Sequence, residues 1–558
     1  MELKPKFNLK WYKNLDNYSD GDVEEDIIKY ILENPPEDYG KVILEHYCWP
    51  VYYHLTHTRQ NILNWYPFKQ DASILEIGCG LGAVTGLLCN KCKAVTAVEL
   101  SKRRATAALL RCREKDNLEI IVGNLNDIEF DRKFDYITLI GVLEYQGTYT
   151  ESENPYKDFL LKVKTLLKED GKLLIAIENK YGMKYWCGAA EDHTGIPFDG
   201  INQYQMSGSK VRTFAKEELR KLLIESGFIN QYFYFPMPDY KLPMVIYSEN
   251  SLPENEALEN AFPYYIHSDG TLLIEEEGLY KDIIRNNVFD FFANSFLVEC
   301  SLSPIENEEQ RVTFALLNSK RQSEYRVGTI ISASGHVVKF PLNDNIYVKS
   351  HLVHVVKNME NMERRGLKIL PYKLEGENLV SEYQELSLLE NLMCEASARK
   401  DTDLLWSLWD ELLRQIEMAS DEVEQKTCMI YELGIDTYAE NKNYGKIVKE
   451  GYLDMIPRNA FVKEDELLWF DQEWALDNVP SKYILFRGML QTYIRFPIMR
   501  YSIPVQEWLE HYGIHMYFHE FLSFDKLFTK MVMDQYYAGY IAEHREKDIY
   551  EKNIMKLL

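Results

Sequence analysis

The stretch "ILEIGCGLGAVTGLL", residues 74–88, decides the fold of the front half of the chain. An apolar run ends at three glycines in the pattern G-x-G-x-G, Gly78, Gly80 and Gly82, and a helical pattern follows. So tight a turn between strand and helix favours residues without a Cβ, which also lets a ligand approach the backbone closely. The dinucleotide fingerprint would be G-x-G-x-x-G, so this spacing favours a ligand without a pyrophosphate.

Strands and helices alternate on both sides of this turn, from about residue 73 to 248. The apolar runs are SILEIG, AVTAVEL, LEIIVG, FDYITLIGV and GKLLIAIEN, and a helical stretch follows each of them. Continuous apolar strands joined by helices predict a parallel sheet that is covered on both faces. We therefore predict an α/β fold with a doubly wound, Rossmann-like domain over residues 71–248, preceded by a helical cap at 1–70.

Composition narrows the function classes. The chain has 558 residues, enough for two to four domains, and its net charge of −24 argues against general nucleic-acid binding. Nine cysteines without a dense framework fit a reducing, cytoplasmic setting. We expect the lone Cys89/Cys92 pair to pack as buried thiols. The N-terminus is polar and no apolar run reaches the ~18 residues of a membrane span, so we expect membrane association only through partners. The amino-acid sequence does not indicate the oligomeric state.

Polar side chains follow the second and third predicted strands. Glu99 lies 17 residues after Gly82, and a carboxylate there can accept both ribose hydroxyls of an adenosine. Asn124, in "GNLND", could meet the adenine edge. In this order, the motifs resemble the class I S-adenosylmethionine-dependent methyltransferases. The alternative is a doubly wound sheet that binds another nucleotide.

The resemblance implies S-adenosylmethionine as the cofactor and a set of contacts to it. These are Glu76, Gly78, Gly80 and Gly82 around the methionine moiety, Glu99 at the ribose, Asn124 and Leu125 at the adenine, and Gly141, Val142 and Glu144 on the floor, with Cys79 and Leu100 as further contacts.

A long aromatic loop, "IENKYGMKYWCGAAEDHTGIPFDGINQY" (177–204), leaves the edge of the sheet where ligands bind. His193, flanked by two acids, is the predicted base for a hydroxyl acceptor, and Tyr185 and Trp186 could stack on a sugar. The alternative is a structural lid in which His193 is a capping residue. A phosphate or carboxylate acceptor would need no base, and His193 would then bind it.

The rear half follows a polar segment, predicted as a linker at 249–290. The stretch "GYLDMIPRNAFVKEDELLWFDQEWA" (451–475) contains Asp454, Asn459 and Asp471. Phosphoryl transfer needs one carboxylate to orient the attacking hydroxyl and oxygen ligands to hold Mg²⁺. Asp454 suits the first task, and Asn459 and Asp471 suit the second.

Lys339, on the predicted strand "GHVVKFPL", supplies a cation for nucleotide phosphates, and Glu360 or Glu363 on the next helix could pair with it. This order resembles the protein-kinase-like and aminoglycoside-phosphotransferase-like fold. It implies a bilobal α+β kinase-like domain at 291–540, with ATP and Mg²⁺, and a C-terminal helix at 541–558. There is no H-R-D motif, and the loop "NSKRQSE" lacks glycine, although Arg321 and its neighbour Lys320 could compensate by charge.

Together the halves resemble bifunctional methyltransferase–kinase enzymes that cap bacterial O-antigen polysaccharides. That likeness implies a glycan or sugar-phosphate acceptor, which is phosphorylated and then methylated. Two alternatives stay open: a methyltransferase whose kinase-like half is an inactive binding module, and a methyltransferase for a protein or small metabolite.

Overall fold

The computed structural model describes residues 3–14, 21–254, 273–274, 276–304, 308–435, 443–464 and 466–536. The chain divides into two compact units. The front unit comprises Met1–Ser319, Gly328–Ser334 and Gln535–Leu558, and the rear unit comprises Lys320–Val327 and Gly335–Asp534.

The front unit contains eleven described strands and twelve described helices. The strands are β1 (Lys6–Asn8), β2 (Ser73–Ile77), β3 (Ala94–Glu99), β4 (Leu118–Val122), β5 (Phe134–Ile140), β6 (Leu167–Glu178), β7 (Asn230–Met237), β8 (Val245–Ser248), β9 (Ser295–Ser301), β10 (Val312–Leu317) and β11 (Val327–Ser332). The helices are α1 (Val23–Glu33), α2 (Tyr39–Glu45), α3 (Trp49–Leu55), α4 (Asn61–Asn64), α5 (Thr85–Lys91), α6 (Lys102–Arg111), α7 (Gln146–Tyr149), α8 (Pro155–Leu166), α9 (Met183–Trp186), α10 (Lys216–Glu225), α11 (Glu276–Arg285) and α12 (Phe289–Phe292).

Five strands form the parallel centre of the front sheet, in the order β4-β3-β2-β5-β6. Counted along the chain from β2, this is the order 3-2-1-4-5 of doubly wound α/β folds. Nearly every residue of β2 and β3 is buried, so both faces of these strands are covered. The predicted parallel, doubly wound sheet is therefore confirmed.

The helix α8 shows how the sequence covers this sheet. Proline at its first position suits a helix start, and Phe159, Leu160 and Val163 recur at helical spacing. All three are buried against sheet residues such as Ile137 and Leu173. Fully burying such a side chain contributes about 1.5–3 kcal/mol, so this face holds the helix to the sheet.

The boundary predicted at residue 291 is wrong. Strand β9, which that boundary would place in the rear domain, lies between β6 and β7 and pairs antiparallel with both. Strands β8, β10 and β11 extend the same sheet by antiparallel pairs. Strand β9 looks ordinary locally, and its pairing with β6, more than a hundred residues earlier, assigns it to the front sheet.

Two other predicted boundaries are partly tested. The cap at 1–70 is helical through α1–α4, but β1 pairs in parallel with β4 at the sheet edge, which the helical pattern does not predict. The segment 249–290 contains α11 and the start of α12, while 255–272 and 275 lie outside the described residues. The predicted helix at 541–558 lies outside them too.

The rear unit is an α+β unit with nine described strands and eight described helices. The strands are β12 (His336–Pro341), β13 (Lys368–Ile369), β14 (Lys373–Glu375), β15 (Asn378–Glu382), β16 (Glu422–Val423), β17 (Ile447–Tyr452), β18 (Ala460–Lys463), β19 (Glu466–Trp469) and β20 (Ala475–Pro480). The helices are α13 (Ile346–Arg364), α14 (Leu389–Ala398), α15 (Thr402–Met418), α16 (Met429–Glu432), α17 (Ser481–Arg495), α18 (Met499–Ser502), α19 (Val505–His511) and α20 (Phe518–Val532).

Short strand pairings, all antiparallel except the parallel pair β13–β19, and a helical core make up the rear unit. Strands pair as β12-β15-β14, β13-β19-β18 and β16-β17-β20. The core is rich in large side chains, with Trp409, Trp469 and Trp508 fully buried. The bilobal, kinase-like interpretation of this unit stays a prediction. In the described part of the chain, no helix is long and apolar enough to cross a membrane.

Candidate functional site

A cavity of about 300 Å³ opens at the carboxyl ends of β2–β6 in the front unit. This is the edge at which doubly wound sheets bind ligands, because the loops after the parallel strands converge there. Ten of the residues predicted as cofactor contacts line it. They are Gly78, Cys79, Gly80, Glu99, Leu100, Asn124, Leu125, Gly141, Val142 and Glu144.

The glycine turn after β2 needs residues without a Cβ. Gly78 has φ +76°, and a Cβ there would lie 2.5 Å from Cγ2 of Val142. Gly82 has φ +78°, and its Cβ would lie 2.9 Å from the Cα of Ala108 on α6. Only glycine adopts such a backbone without strain, so the turn packs directly on α6.

Glu99 ties the glycine turn to the end of β3. One carboxylate oxygen accepts from the backbone N–H of Gly80 at 2.9 Å, and the other accepts from Ser101 at 3.0 Å. Burial raises the pKa of Glu99, and the hydrogen bonds from the backbone oppose that rise. The carboxylate therefore lies where it can face a ribose ring placed over the turn.

Glu76 and Gly82 are not among the described residues that line the cavity. Glu76 is buried, and burial raises its pKa to about 7, against a hydrogen bond from Thr85 that lowers it. Gly82 packs on α6. Their predicted contact with the methionine moiety stays a prediction; in the structure Glu76 is buried in β2 and Gly82 packs the turn on α6.

Asn124 lines the cavity while its side chain is engaged locally. Its oxygen accepts from the N–H of Asn126 at 3.0 Å, which caps the short helix Leu125–Asp127. Its amide donates to the carbonyl of Tyr149 at 3.1 Å. These two hydrogen bonds fix the position of the Asn124 side chain. Its contact with adenine stays a prediction.

His193 lies at the other end of the cavity and is oriented by Glu191. Nδ1 is 3.0 Å from Oε1 of Glu191, and the backbone N–H groups of His193 and Thr194 donate to Oε2 of Glu191, each at 2.8 Å. The hydroxyl of Tyr204 adds a bond to the same carboxylate at 3.2 Å. Nε2 lies 3.8 Å from Oε1 of Glu144.

The surrounding acids decide the charge of His193. Burial lowers its pKa, but the nearby carboxylates of Glu144 and Glu191 outweigh burial and hold the pKa well above its ordinary value. The charged form of the ring is therefore favoured over the neutral form when no ligand is bound. In that state it donates a hydrogen bond and cannot accept a proton, which counts against the predicted role as a general base.

Sequence reasoning missed Glu178, Tyr240 and Lys241, which also line this end of the cavity. Glu178 is the last residue of β6, and its Oε1 accepts from Lys241 and, at 3.2 Å, from the hydroxyl of Tyr240. Lys241 also donates to Asp192 at 2.8 Å. Glu178 is the last residue of its strand, as Glu99 is of β3, so the position that points to Glu99 also points to Glu178. Tyr240 and Lys241 carry no local signal in the sequence.

The N-terminal cap contributes an aromatic wall. Trp49 and Tyr53 on α3 line the cavity and stack with ring centroids 5.5 Å apart. The guanidinium of Arg59 lies 4.1 Å from the Tyr53 ring centroid and donates to the carbonyl of Lys241 at 3.0 Å. The cap thereby covers the cavity next to its polar end.

The predicted stacking on a sugar is wrong for Tyr185, which is buried, and stays a prediction for Trp186, which is 42% exposed. Neither ring belongs to the described lining of the cavity. Tyr185 is buried with its hydroxyl on Asp192, and Trp186 packs edge-on against Phe292. Both lie on α9, whose packing residues are indistinguishable from binding residues in sequence.

Cys89 and Cys92 are buried thiols, as expected. The amide of Asn117 donates to the carbonyl oxygens of both residues at 2.9 Å. Within the described residues, neither thiol joins a group of metal-ligating side chains.

Residues 75–175 match the family model described as a methyltransferase domain. Two curated relatives match the same part of the chain. A malonyl-[acyl-carrier protein] O-methyltransferase of Priestia megaterium is 32% identical over 125 residues, 22% of this chain and 42% of the relative. An uncharacterized methyltransferase of Staphylococcus carnosus is 32% identical over 114 residues, 20% of this chain and 51% of the relative.

The chain thus spans about half the length of the curated relatives it matches, 42% and 51%. A solved structure, the phosphoethanolamine N-methyltransferase 2 of Haemonchus contortus with S-adenosylhomocysteine, is 16% identical with a TM-score of 0.27, covering 44% of this chain and 52% of its own. The fold assignment rests on the strand order given above.

The rear unit brings together four of the residues predicted for phosphoryl transfer. Lys339 pairs with Asp471, and Asn459 donates to the carbonyl of Asp454 at 3.1 Å. A fifth residue, Glu473, links them: its carboxylate lies 2.9 Å from the Lys339 ammonium, and its N–H donates to Oδ2 of Asp454 at 3.1 Å. The sequence pattern assigns no role to this glutamate of the motif DQEW.

The predicted pairing of Lys339 with Glu360 is wrong. Glu360 and Glu363 are exposed on α13, while Asn358, two residues earlier, donates to the carbonyl of Gln472 at 3.0 Å. Residues two apart on a helix face different directions, so burying Asn358 turns Glu360 to solvent. The predicted order of Lys339 and α13 along the chain is correct, but α13 is rotated so that Asn358, and not Glu360, faces the interior.

Burial and charge shift the pKa values of this rear cluster. Burial, then the carboxylate of Glu473, raises the pKa of Asp454 to about 7. Arg321 forms an ion pair with Glu473. In the structure its charge therefore neutralises this acid, whereas the sequence predicts that it compensates for the missing glycines by meeting phosphates. Together, Lys339 and Arg321 balance the acids of the cluster from within.

Proposed function

We propose that the front unit transfers the methyl group of S-adenosylmethionine to an acceptor bound near His193. The observation that carries this proposal is the link between Glu99 and the backbone of Gly80 at the carboxyl edge of a parallel sheet. The link lies inside the segment that matches a methyltransferase domain. In the proposal, Glu99 holds the ribose, and the glycine turn leaves room for the methionine moiety.

The chemistry is an in-line displacement. The acceptor oxygen attacks the methyl carbon, the new C–O bond forms as the S–C bond breaks, and the electron pair of that bond stays on sulfur as S-adenosylhomocysteine is released. The protein positions and desolvates the reactants. The stacked rings of Trp49 and Tyr53 exclude water from one side. When the acceptor is a hydroxyl, its O–H bond breaks and the proton passes to water as the C–O bond forms, while His193 lies beside the acceptor.

The acceptor class that we propose is a cell-surface glycan or its precursor. Support comes from the polar end of the cavity, where Tyr145, Asp192, His193 and Lys241 offer donors and acceptors beside the aromatic wall. Hydroxylated ligands need such a mixture of hydrogen-bonding groups and flat apolar surface. A protein or small-metabolite acceptor is the competing possibility.

Calorimetric titration with S-adenosylhomocysteine tests cofactor binding. We expect Glu99→Gln to weaken binding by roughly tenfold to a hundredfold, since charge-assisted hydrogen bonds contribute ~1.5–3 kcal/mol. Glu119→Gln on the neighbouring strand β4 is the matched control, because its carboxylate pairs with Arg132 and does not line the cavity. No binding by the unaltered chain, or equal binding by both variants, would overturn the proposal.

For the rear unit we propose a phosphotransferase that uses ATP and Mg²⁺ on the same acceptor. The observation that favours it is the cluster of Lys339, Asp454 and Asp471 beside Asn459. In this proposal, Lys339 meets the nucleotide phosphates, Asp454 orients the attacking hydroxyl, and Asn459 and Asp471 hold the metal.

A competing proposal is an inactive binding module, and Glu473 favours it because this acid occupies Lys339. Labelled S-adenosylmethionine incubated with glycan panels, with and without ATP, separates the two. If methyl incorporation requires ATP and is lost in Asp471→Ala, the rear unit is catalytic. Incorporation that ignores both ATP and the substitution assigns the rear unit to binding.

A further inference from the structure

Three side chains of the cavity converge at its polar end. Glu144 follows β5, Glu178 ends β6, and His193 comes from the loop beyond it. One potential ligand atom from each lies within 4.8 Å of the others. All three residues line the cavity. Convergence of two glutamates and a histidine from three separate parts of the chain is more specific than a run of acids on one element.

Two carboxylate oxygens of this group are unsatisfied. Among the described residues, Oε2 of Glu144 and Oε2 of Glu178 have no hydrogen-bond partner. The two residues are only 1% and 0% exposed. Leaving a buried anionic oxygen unpaired is costly, so the free energy of this arrangement improves when a cationic ligand meets both oxygens.

The remaining atoms of the group are held by neighbours that fix its orientation. Oε1 of Glu178 accepts from Lys241 and Tyr240, which leaves Oε2 facing away from them. Nδ1 of His193 contacts Glu191, which leaves Nε2 on the cavity side, 3.8 Å from Oε1 of Glu144. Metal-binding histidines and carboxylates are characteristically oriented in this way by an outer layer of hydrogen bonds.

We propose that Glu144, Glu178 and His193 form a binding site for a divalent metal ion at the acceptor end of the cavity. Two carboxylates and one imidazole suit a first-row ion such as Mn²⁺. Three protein ligands leave coordination positions open for an acceptor. The inference rests on the proposed function for the position of that acceptor, but not for the binding of the ion.

The ion defines a substrate class. Open neighbouring positions favour an acceptor with two adjacent oxygen atoms, such as the vicinal hydroxyls of a sugar. A hydroxyl on the ion is more acidic, so its O–H bond breaks with transfer of the proton to water as the oxygen attacks the methyl carbon. With the ion bound, Nε2 of His193 is a ligand and carries no proton, so the ion and not His193 activates the acceptor hydroxyl.

Mn²⁺ is the probe for this site. Electron paramagnetic resonance and calorimetry on the full chain, with S-adenosylhomocysteine present, should find one Mn²⁺ per chain. Glu144→Gln and Glu178→Gln should each weaken binding by at least about tenfold, the lower bound for losing even an outer-layer partner. Glu99→Gln is the matched control: it should keep Mn²⁺ binding while losing cofactor affinity.

Each outcome decides the matter. Absence of Mn²⁺ binding by the unaltered chain, or unchanged binding in both glutamine variants, overturns the site and assigns the cluster to internal ion pairing. Thermal unfolding shows whether each variant folds, and His193→Gln replaces any variant that does not. If Mn²⁺ binds but S-adenosylhomocysteine does not, the proposed function fails and the metal site stands; the reverse result removes only the metal site.

Discussion

In the front unit, Glu144 and Glu178 bring buried carboxylate oxygens to a cavity without pairing all of them. In the rear unit, Asp471 and Glu473 meet Lys339, and Arg321 adds a second cation to Glu473. Both clusters use acids at strand or loop ends. The first leaves anionic oxygens for a ligand, and the second is largely balanced by its own cations. This difference favours binding of a cationic ligand at the cluster of the front unit over binding at the cluster of the rear unit.

Removing the central cation should break the balanced cluster. Lys339→Ala leaves buried acids uncompensated, so we expect the free energy of unfolding of the rear unit to fall by roughly 3–5 kcal/mol. Denaturant unfolding followed by tryptophan fluorescence measures it. Lys349→Ala, which removes an exposed pair with Glu377, is the control and should change stability by less than about 0.5 kcal/mol. Equal stability of the two variants would contradict internal balance.

The front cluster should show its largest effect in turnover. His193→Ala removes the ring that faces the acceptor, and misplacement of an acceptor costs on the order of a hundredfold in rate. Affinity for S-adenosylhomocysteine should stay within about twofold, because the glycine turn and Glu99 are untouched. Methyl incorporation and calorimetry measure the two quantities, with exposed His515→Ala as control. Loss of cofactor affinity instead would assign His193 to a structural lid.

The glycine turn gives a smaller effect that separates packing from binding. A Cβ at Gly82 would meet the backbone of α6, so Gly82→Ala should destabilise the front unit by about 1–3 kcal/mol. Gly80 has φ +54°, and a Cβ there would have no other atom within 4 Å. Gly80→Ala should therefore destabilise the front unit less than Gly82→Ala does, and should weaken cofactor binding more. Thermal unfolding and calorimetry compare the two variants. Identical losses in both would show that the turn only packs.

Local patterns are enough to predict the glycine turn, Glu99 and the parallel centre of the front sheet, because each depends on residues close in sequence. The position of β9 cannot be predicted in this way, since antiparallel pairing with β6 joins strands more than a hundred residues apart. Glu178 is within reach of the rule that finds Glu99. Lys241 is not, because a loop lysine shows no local sign that it will meet a buried carboxylate.

The rear unit shows a different limit. The order of Lys339, Asp454 and Asp471 along the chain predicts that they meet, and the structure brings them together. The place of Glu360 on α13 predicts it as the partner of the lysine, whereas the observed partner, Glu473, follows β19. Helix phase is set by which face packs, and here Asn358 packs. The order of motifs constrains the cluster, but side-chain pairing depends on tertiary packing.

The rear cluster should also respond to pH, through Asp454. Burial raises its pKa to about 7 in the folded chain, so the folded state holds a proton that the unfolded chain releases near pH 4. Stability should therefore fall as pH rises from about 4 to 7, and Asp454→Asn should remove that component, worth up to about 4 kcal/mol. Melting temperatures of the chain and the variant between pH 5 and 8 measure it. The variant should gain relative stability toward pH 8; a constant difference across this range would show that Asp454 is ionised throughout, and that the rear cluster accommodates one more negative charge than its cations suggest.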